Sequence, residues 1–430
     1  MSAKYPKPGA RTFLSLQMST PDGGRKSLAR PLPIEYFPKP ARQQESQSQT
    51  KIQILMRLPW HSGLSMLTVR PLGYTVACMI TVKVIGAGGY GGVGIVELLA
   101  QHPEAQLVAL VAQADVGMAI SDLYPHLQGF CDEIIVPPDD PRAATPADVV
   151  FFATPDGVAM RQAKTELDRG AKVIDYSGDF RFRTPEQYAE YARRIGKDPN
   201  HASPELLAES VYGLPELHRA DLHPEIRLVG NVGCFAIGCI LGLSPAIQAG
   251  LVQLDSLICD CKTGVSGAGK KPNPQFHYPA RYDHMNAYRL SGHQHVVEVE
   301  HEMEFLCGQP VAITFTPQVV PACRGILSCI YGTLSEGVGL DQVMECYREF
   351  HADNSFVRIY DRSATIGTQH VRGSNFCNLI VDVDERANRL RVISHIDNLV
   401  KGQAGNALQN MNLICGLPEE MGLDRPGQYP

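Results

Sequence analysis

The chain has 430 residues, 44% of them hydrophobic and 20% charged, with a formal net charge of −6. That is an ordinary soluble composition, long enough for two or three domains, and it gives no reason to expect nucleic acid as a partner. No apolar run approaches the roughly 18 to 20 residues of a membrane-crossing helix. The 12 cysteines are scattered without a CxxC pair, and Cys239, Cys259 and Cys329 lie inside apolar runs, a pattern of buried thiols in a reducing compartment.

Residues 1–78 alternate Pro, Ser and Gln-rich stretches with basic residues and few acids, and no strand or helix period emerges. This composition predicts a disordered leader. It fits either an organelle transit peptide or sequence upstream of a true start at Met79, and the abrupt change at Met79 favours the second. From there Ile80–Ile85 reads as a buried strand and Gly94–Leu99 as the start of a helix. Leu107–Val111, Val149–Ala153 and Lys172–Asp175 read as further strands, with a helix over Val158–Arg169. Strands alternating with helices predict βαβ units and a parallel sheet. A long apolar helix follows from Cys234 to near Gly250. Strand-like runs at Ser256–Lys262, Val311–Val320 and Ile326–Leu334 then predict a second, mixed or antiparallel sheet, and Asn398–Cys415 reads as helical.

After the first strand the glycines fall as Gly86-x-x-Gly89-x-x-Gly92, with Gly88, Tyr90 and Gly91 between them. Backbone without Cβ at a strand-to-helix turn lets a pyrophosphate approach a helix N-terminus, so this turn is a candidate dinucleotide site. Thr154 and Pro155, at the end of a later strand, are placed where such folds hold ligands. Beyond the second strand stands Ala112-Gln113-Ala114-Asp115; an acid there favours NAD through the ribose hydroxyl, and an Arg would favour NADP. No Arg occurs between Met79 and Arg142, and Asp115 is equally readable as a solvent-facing loop residue.

Cys234 closes the small-residue turn Gly230-Asn231-Val232-Gly233 at the start of the apolar helix. Unpaired N–H groups and the dipole of a helix N-terminus favour a thiolate, which makes Cys234 the candidate nucleophile. His293 and His295 are the candidate acid/base groups, and alternation puts both on one side if their segment is extended. Together with Cys234 they could ligate a metal, but no fourth ligand is evident and none is expected. Arg181 and Arg324, each after a strand, are candidates for substrate anions, with Glu298 in the run after the histidines a further substrate contact. The glycine-rich run Lys262–Lys270 departs from a P-loop and reads as a mobile loop over the site, with Gly267 near the cofactor.

With these residues in hand the chain resembles N-acetyl-γ-glutamyl-phosphate reductases, relatives of aspartate-semialdehyde dehydrogenases. The resemblance runs from about Met79 to Leu423 through GAGGYGG (86–92), DYSGDFR (175–181), VYGLPEL (211–217), GNVGC (230–234), TGVSGAG (263–269), GHQH (292–295), RGIL (324–327) and IDNLVKGQAGNALQNMNL (396–413). It implies an α/β chain: a Rossmann-type dinucleotide-binding domain over 79–230, completed by 396–430, and an α+β catalytic and dimerisation domain over 231–395. It further implies a homo-oligomer, dimer or tetramer, in the cytoplasm, or in an organelle if 1–78 is a transit peptide. The implied reaction is NADP-dependent reduction of an acyl phosphate through a Cys234 thioester, with NAD not excluded. The same chemistry on a carrier-linked or aminoadipyl phosphate, or a catalytically silent dinucleotide-binding regulator, is the alternative. Two departures stand out: Val232 replaces the usual Pro, and 112–115 lacks the usual Ser/Thr and Arg.

Overall fold

The computed structural model describes residues 79–430 and, within the leader, the antiparallel pair β1 (Gln17–Ser19) and β2 (Arg25–Ser27). The expectations for the rest of 1–78 lie outside the described residues. Two seven-stranded sheets organise 79–430. The first comprises β3 (Ile80–Ile85), β4 (Ala105–Val111), β5 (Ile135–Val136), β6 (Val149–Phe152), β7 (Lys172–Asp175), β8 (Val211–Gly213) and β9 (Leu228–Asn231). Its order is β5-β4-β3-β6-β7-β9-β8 and every pairing is parallel.

Parallel sheets are covered on both faces, which explains the nearly continuous apolar runs. Val82, Val84 and all of β6 are fully buried. Lys83 breaks that run and is buried too, its Nζ 2.9 Å from both Glu166 Oε2 and the Ala143 carbonyl. Helices α1 (Tyr90–Leu99), α2 (Ile120–Leu123), α3 (Ala159–Asp168), α4 (Pro185–Arg194) and α5 (Pro215–His218) fill the connections. α1 begins at Tyr90, earlier than the sequence suggested. Gly91 and Gly92 are poor helix formers, but packing holds them helical: a Cβ on Gly92 would stand 2.3 Å from the Gly86 carbonyl oxygen.

α6 (Cys234–Gln248) leaves the end of β9 and is buried around its whole circumference between the two halves of the molecule. Pro245 inside it cannot donate to Leu241, and His351 supplies that carbonyl with a ring nitrogen at 3.2 Å instead. The second sheet comprises β10 (Leu257–Thr263), β11 (Asn286–Ala287), β12 (Ile313–Val319), β13 (Ile326–Thr333), β14 (Val357–Tyr360), β15 (Cys377–Asp384) and β16 (Arg389–Ile396). Its order is β11-β12-β10-β13-β16-β15-β14, parallel at β10/β12 and β14/β15 and antiparallel elsewhere. Along β10 and β13 fully buried residues alternate with half-buried ones, one face packing on α6.

α7 (Tyr278–Arg281), α8 (Gln294–Cys307) and α9 (Leu340–Phe350) belong to this half. The chain then returns to the first half. Asn398–Cys415 is not one helix: Val400–Ala404 forms a π-turn, with Gly402 N–H donating to Asp397 and Ala404 N–H to Leu399, before α10 (Gly405–Ile414). α10 packs on α1 and on β7 to β9, so the last segment completes the first layer. Among the described residues no helix is long and apolar enough to cross a membrane.

Candidate active site

A cleft of about 720 Å³ opens where the first sheet ends against α6, α8 and the loop after β10. Its walls gather Gly89, Tyr90 and Gly91 of the glycine turn, Thr154 and Pro155 after β6, Arg181, Cys234, Gly267 and His295. Gly86, Gly88 and Gly92 shape the turn from behind. Gly86 has φ of 91°, and a Cβ there would stand 2.3 Å from the Ala153 carbonyl oxygen, so no other residue fits. The α1 N-cap, Gly89, brings no side chain to the first-turn N–H groups. Thr154 Oγ1 is buried with no hydrogen-bond partner among the described residues. An uncapped helix start over a cradle that any Cβ would fill, beside an unpaired hydroxyl, fits a dinucleotide phosphate.

Cys234 is the first residue of α6, with Gly233 as N-cap and no side-chain cap. The N–H groups of Phe235 and Cys234 and the guanidinium of Arg181 favour its thiolate, but burial outweighs them and, with Glu298 adding to it, pushes the thiol up to about 11. This differs from the sequence expectation of a thiolate ready at neutral pH: the helix terminus acts as expected, and desolvation is larger. The resting sulfur carries its proton, so attack needs a base.

His295 lines the same wall. A Cβ on Gly233 would stand 2.4 Å from His295 Nε2, so the ring lies against the residue preceding the nucleophile. Burial first, then the charges of His293, Arg181 and Arg289, holds His295 well below its ordinary value, so the ring is neutral and the same causes disfavour its taking a proton in the resting site. His293 is placed differently. The segment is helical, not extended: His293 is the N-cap of α8, its Nδ1 accepting the His295 N–H at 3.3 Å. Its ring lies between Phe235 and Phe315, off the cleft wall, and burial with the Arg289 charge pushes it down to about 3.

The three expected substrate contacts also separate. Arg181 lines the cleft but is heavily engaged: Nε donates to Asn231 O at 2.7 Å, Nη2 to Tyr176 O at 2.6 Å and Nη1 to Glu298 Oε2 at 3.2 Å. Glu298 is buried behind the wall, its Oε1 accepting from Gly233 N–H at 2.8 Å and Tyr212 O–H at 3.0 Å. It anchors the turn that presents Cys234. Arg324 lies off this cleft, with Nε 3.0 Å from Asp397. Sequence reasoning missed Arg289, three residues before Gly292. It lines the cleft, donates to the neutral Gln294 Oε1 at 2.7 Å, and has no carboxylate partner among the described residues. It also missed Gly402, which packs on Cys234: a Cβ there would stand 2.9 Å from Cys234 Cβ. The long closing motif was the signal for Gly402.

Residues 81–224 match the model of the semialdehyde dehydrogenase NAD-binding domain, and 234–398 that of the semialdehyde dehydrogenase dimerisation domain. Fold and site thus define a semialdehyde dehydrogenase. The chain is 42% identical over 353 residues to an N-acetyl-gamma-glutamyl-phosphate reductase of Symbiobacterium thermophilum, covering 82% of this chain and 99% of the relative. A reductase of the same name from Pelotomaculum thermopropionicum is 40% identical over 355 residues, again 82% and 99% of the two chains. The chain therefore belongs to the N-acetyl-γ-glutamyl-phosphate reductase family. The crystal structure of aspartate semialdehyde dehydrogenase II from Vibrio cholerae, complexed with ASA, shares the fold at TM-score 0.58 and 16% identity, over 78% of this chain and 98% of that one. The aspartate semialdehyde dehydrogenase with NADP from Candida albicans does so at 0.55 and 17%, with the same coverage.

Proposed function

We propose that the chain reduces N-acetyl-γ-glutamyl phosphate to N-acetylglutamate semialdehyde, releasing phosphate through a thioester on Cys234, as a step of arginine biosynthesis. The observation that carries this is one cleft lined by a helix-start cysteine, a neutral histidine and a glycine turn fit for a dinucleotide. His295 Nε2 accepts the thiol proton as the Cys234 sulfur attacks the acyl carbon. The C–S bond forms, the C–O bond to phosphate breaks, and phosphate leaves with the electron pair. First-turn N–H groups of α6 face the developing oxyanion. Gly86–Gly92 and Thr154-Pro155, with Gly267 across the cleft, would hold a dinucleotide, which would supply hydride for reduction of the thioester carbonyl. His295 returns its proton to that oxygen and takes it back as aldehyde and thiolate separate. Arg289, free of any carboxylate partner among the described residues, meets the anionic end of the substrate.

The reading includes a cytoplasmic homo-oligomer, dimer or tetramer. Of the two dinucleotides, the family resemblance points to NADP and the charges of this chain to NAD. Cys234→Ser tests the core of the reading. Aldehyde formation falls by at least about a thousandfold while dinucleotide binding, followed by nicotinamide fluorescence, stays unchanged. Mass spectrometry of wild-type enzyme mixed with acyl phosphate alone finds the acyl group on Cys234. Wild-type-like turnover by the serine variant refutes the assignment.

A further inference from the structure

A dinucleotide turn after the first strand of a Rossmann layer puts the adenosine ribose at the C-terminal end of the second. Here that corner is built from Gly88, Asp115, Tyr124 and Lys270. Asp115 follows β4 with φ of 60°, a left-handed conformation Asp tolerates better than most residues. Its carboxylate turns back onto the glycine turn, so that a Cβ on Gly88 would stand 2.8 Å from Oδ2. The same oxygen accepts from Lys270 Nζ at 2.5 Å, and Lys270 reaches over from the glycine-rich loop of the other half. Tyr124 closes the corner, its hydroxyl donating to Gly88 O at 3.0 Å. Asp115 Oδ1 has no hydrogen-bond partner among the described residues, and the side chain keeps 24% of its surface exposed.

The charges decide between the two cofactors. Between Met79 and Arg142 the only Lys or Arg is Lys83. That ammonium is buried at the far side of the sheet, bonded to Glu166 and Ala143. The cation at the corner is Lys270, already held by Asp115, and Glu97 on α1, which pairs with His126 at 2.8 Å, brings no positive charge. A 2′-phosphate, with a charge of about −1.5 to −2, would have to take Lys270 from Asp115 and then lie beside a bare carboxylate. A ribose hydroxyl has the opposite fit, because it donates to the open Oδ1 while Lys270 keeps Oδ2.

We propose that Asp115 reads the adenosine ribose as a diol and makes NAD the preferred cofactor of this chain, with Lys270 fixing the carboxylate from across the cleft. This rests on the dinucleotide reading above, and it separates the chain from the NADP use that its family resemblance implies. The replacement of Ser/Thr and Arg by Ala112-Gln113-Ala114 leaves this loop with no hydroxyl or guanidinium to hold a phosphate.

The test is direct binding of NADH and NADPH to the full-length protein, by nicotinamide fluorescence and calorimetry without acyl substrate, alongside thermal melts that report folding. Wild type binds NADH at least about tenfold more tightly than NADPH. Asp115→Asn keeps size and backbone preference but removes the charge and frees Lys270. Its NADPH affinity rises about tenfold while NADH affinity falls only a few-fold, and the NADPH gain disappears in the Asp115→Asn/Lys270→Met double variant. Tighter NADPH binding by wild type, or equal changes for both cofactors in Asp115→Asn, overturns the proposal. Failure of both dinucleotides to bind overturns it together with the dinucleotide reading. NADH preference without acyl-phosphate reduction leaves it standing and removes the proposed reaction.

Discussion

Replacing Gly402 with alanine tests whether the closing π-turn sets the position of the nucleophile. The new Cβ would lie 2.9 Å from Cys234 Cβ, 3.4 Å from Cys234 Cα and 3.3 Å from the Asp397 carbonyl oxygen. Two carbons rest at about 3.5 Å or more, so one backbone must yield by roughly 0.6 Å. Neither does so cheaply. Gly402 is tied to Asp397 by a 2.9 Å hydrogen bond, and Cys234 begins a helix buried almost throughout. Overpacking of this kind costs about 1 to 3 kcal/mol, less up to about 1 kcal/mol from the reduced freedom of the unfolded chain. The expected result is a melting temperature lower by a few degrees, with kcat lower by about 10- to 100-fold because the sulfur is displaced from its base. The assay is phosphate-dependent oxidation of N-acetylglutamate semialdehyde, with the rate of Cys234 alkylation measured in parallel. Gly339→Ala is the control, since a Cβ there meets nothing within 4 Å. Unchanged kcat, alkylation and melting temperature in Gly402→Ala would refute the reasoning.

Arg289→Met raises KM for the acyl phosphate by about tenfold or more and leaves dinucleotide affinity alone; a fall in kcat with KM unchanged contradicts a binding role. His293→Asn keeps an acceptor for the His295 N–H but removes a titrating ring. His293 is held down to about 3 when folded and titrates near 6.5 when unfolded, so between those values the unfolded chain binds more protons. Its contribution to stability is complete above about pH 6.5 and is lost as pH falls toward about 3, by up to about 1.4 kcal/mol per pH unit. The variant therefore loses less melting temperature than wild type from pH 7 to 5, though His351, pushed down to about 4, preserves part of the slope. Identical slopes in the two proteins would remove the claim.

In the first half β3, β4, β6 and β7 were legible because they are buried on both faces and announce themselves as apolar runs, whereas the short β5, β8 and β9 and the strand order were not. β10, β12 and β13 were also legible, whereas β14, β15 and β16 were not singled out. Cys234, His295 and the glycine turn, which the fold brings to one cleft, were legible as candidates because helix starts and turns leave local signatures. Arg181 and Glu298 were found as residues, but their duties were not. Their partners, Asn231, Tyr176, Tyr212 and Gly233, are brought together by the fold over separations no local pattern reports. The same is true of Arg289, whose significance is the absence, among the described residues, of a carboxylate within reach. The condition that would put the two histidines on one side, an extended segment, is not met because His293 caps its own helix.

The π-turn at Val400–Ala404 touches both reacting partners within three consecutive residues. Gly402 backs Cys234, Gln403 lies against Gly91 of the cofactor turn, and Ala404 lies against Gly94. A newly made chain therefore lacks the packing between Cys234 and the glycine turn until residues 402–404 have joined it. Nascent polypeptides stalled before that point would present a thiol and a nucleotide turn with no common spacer to set their separation.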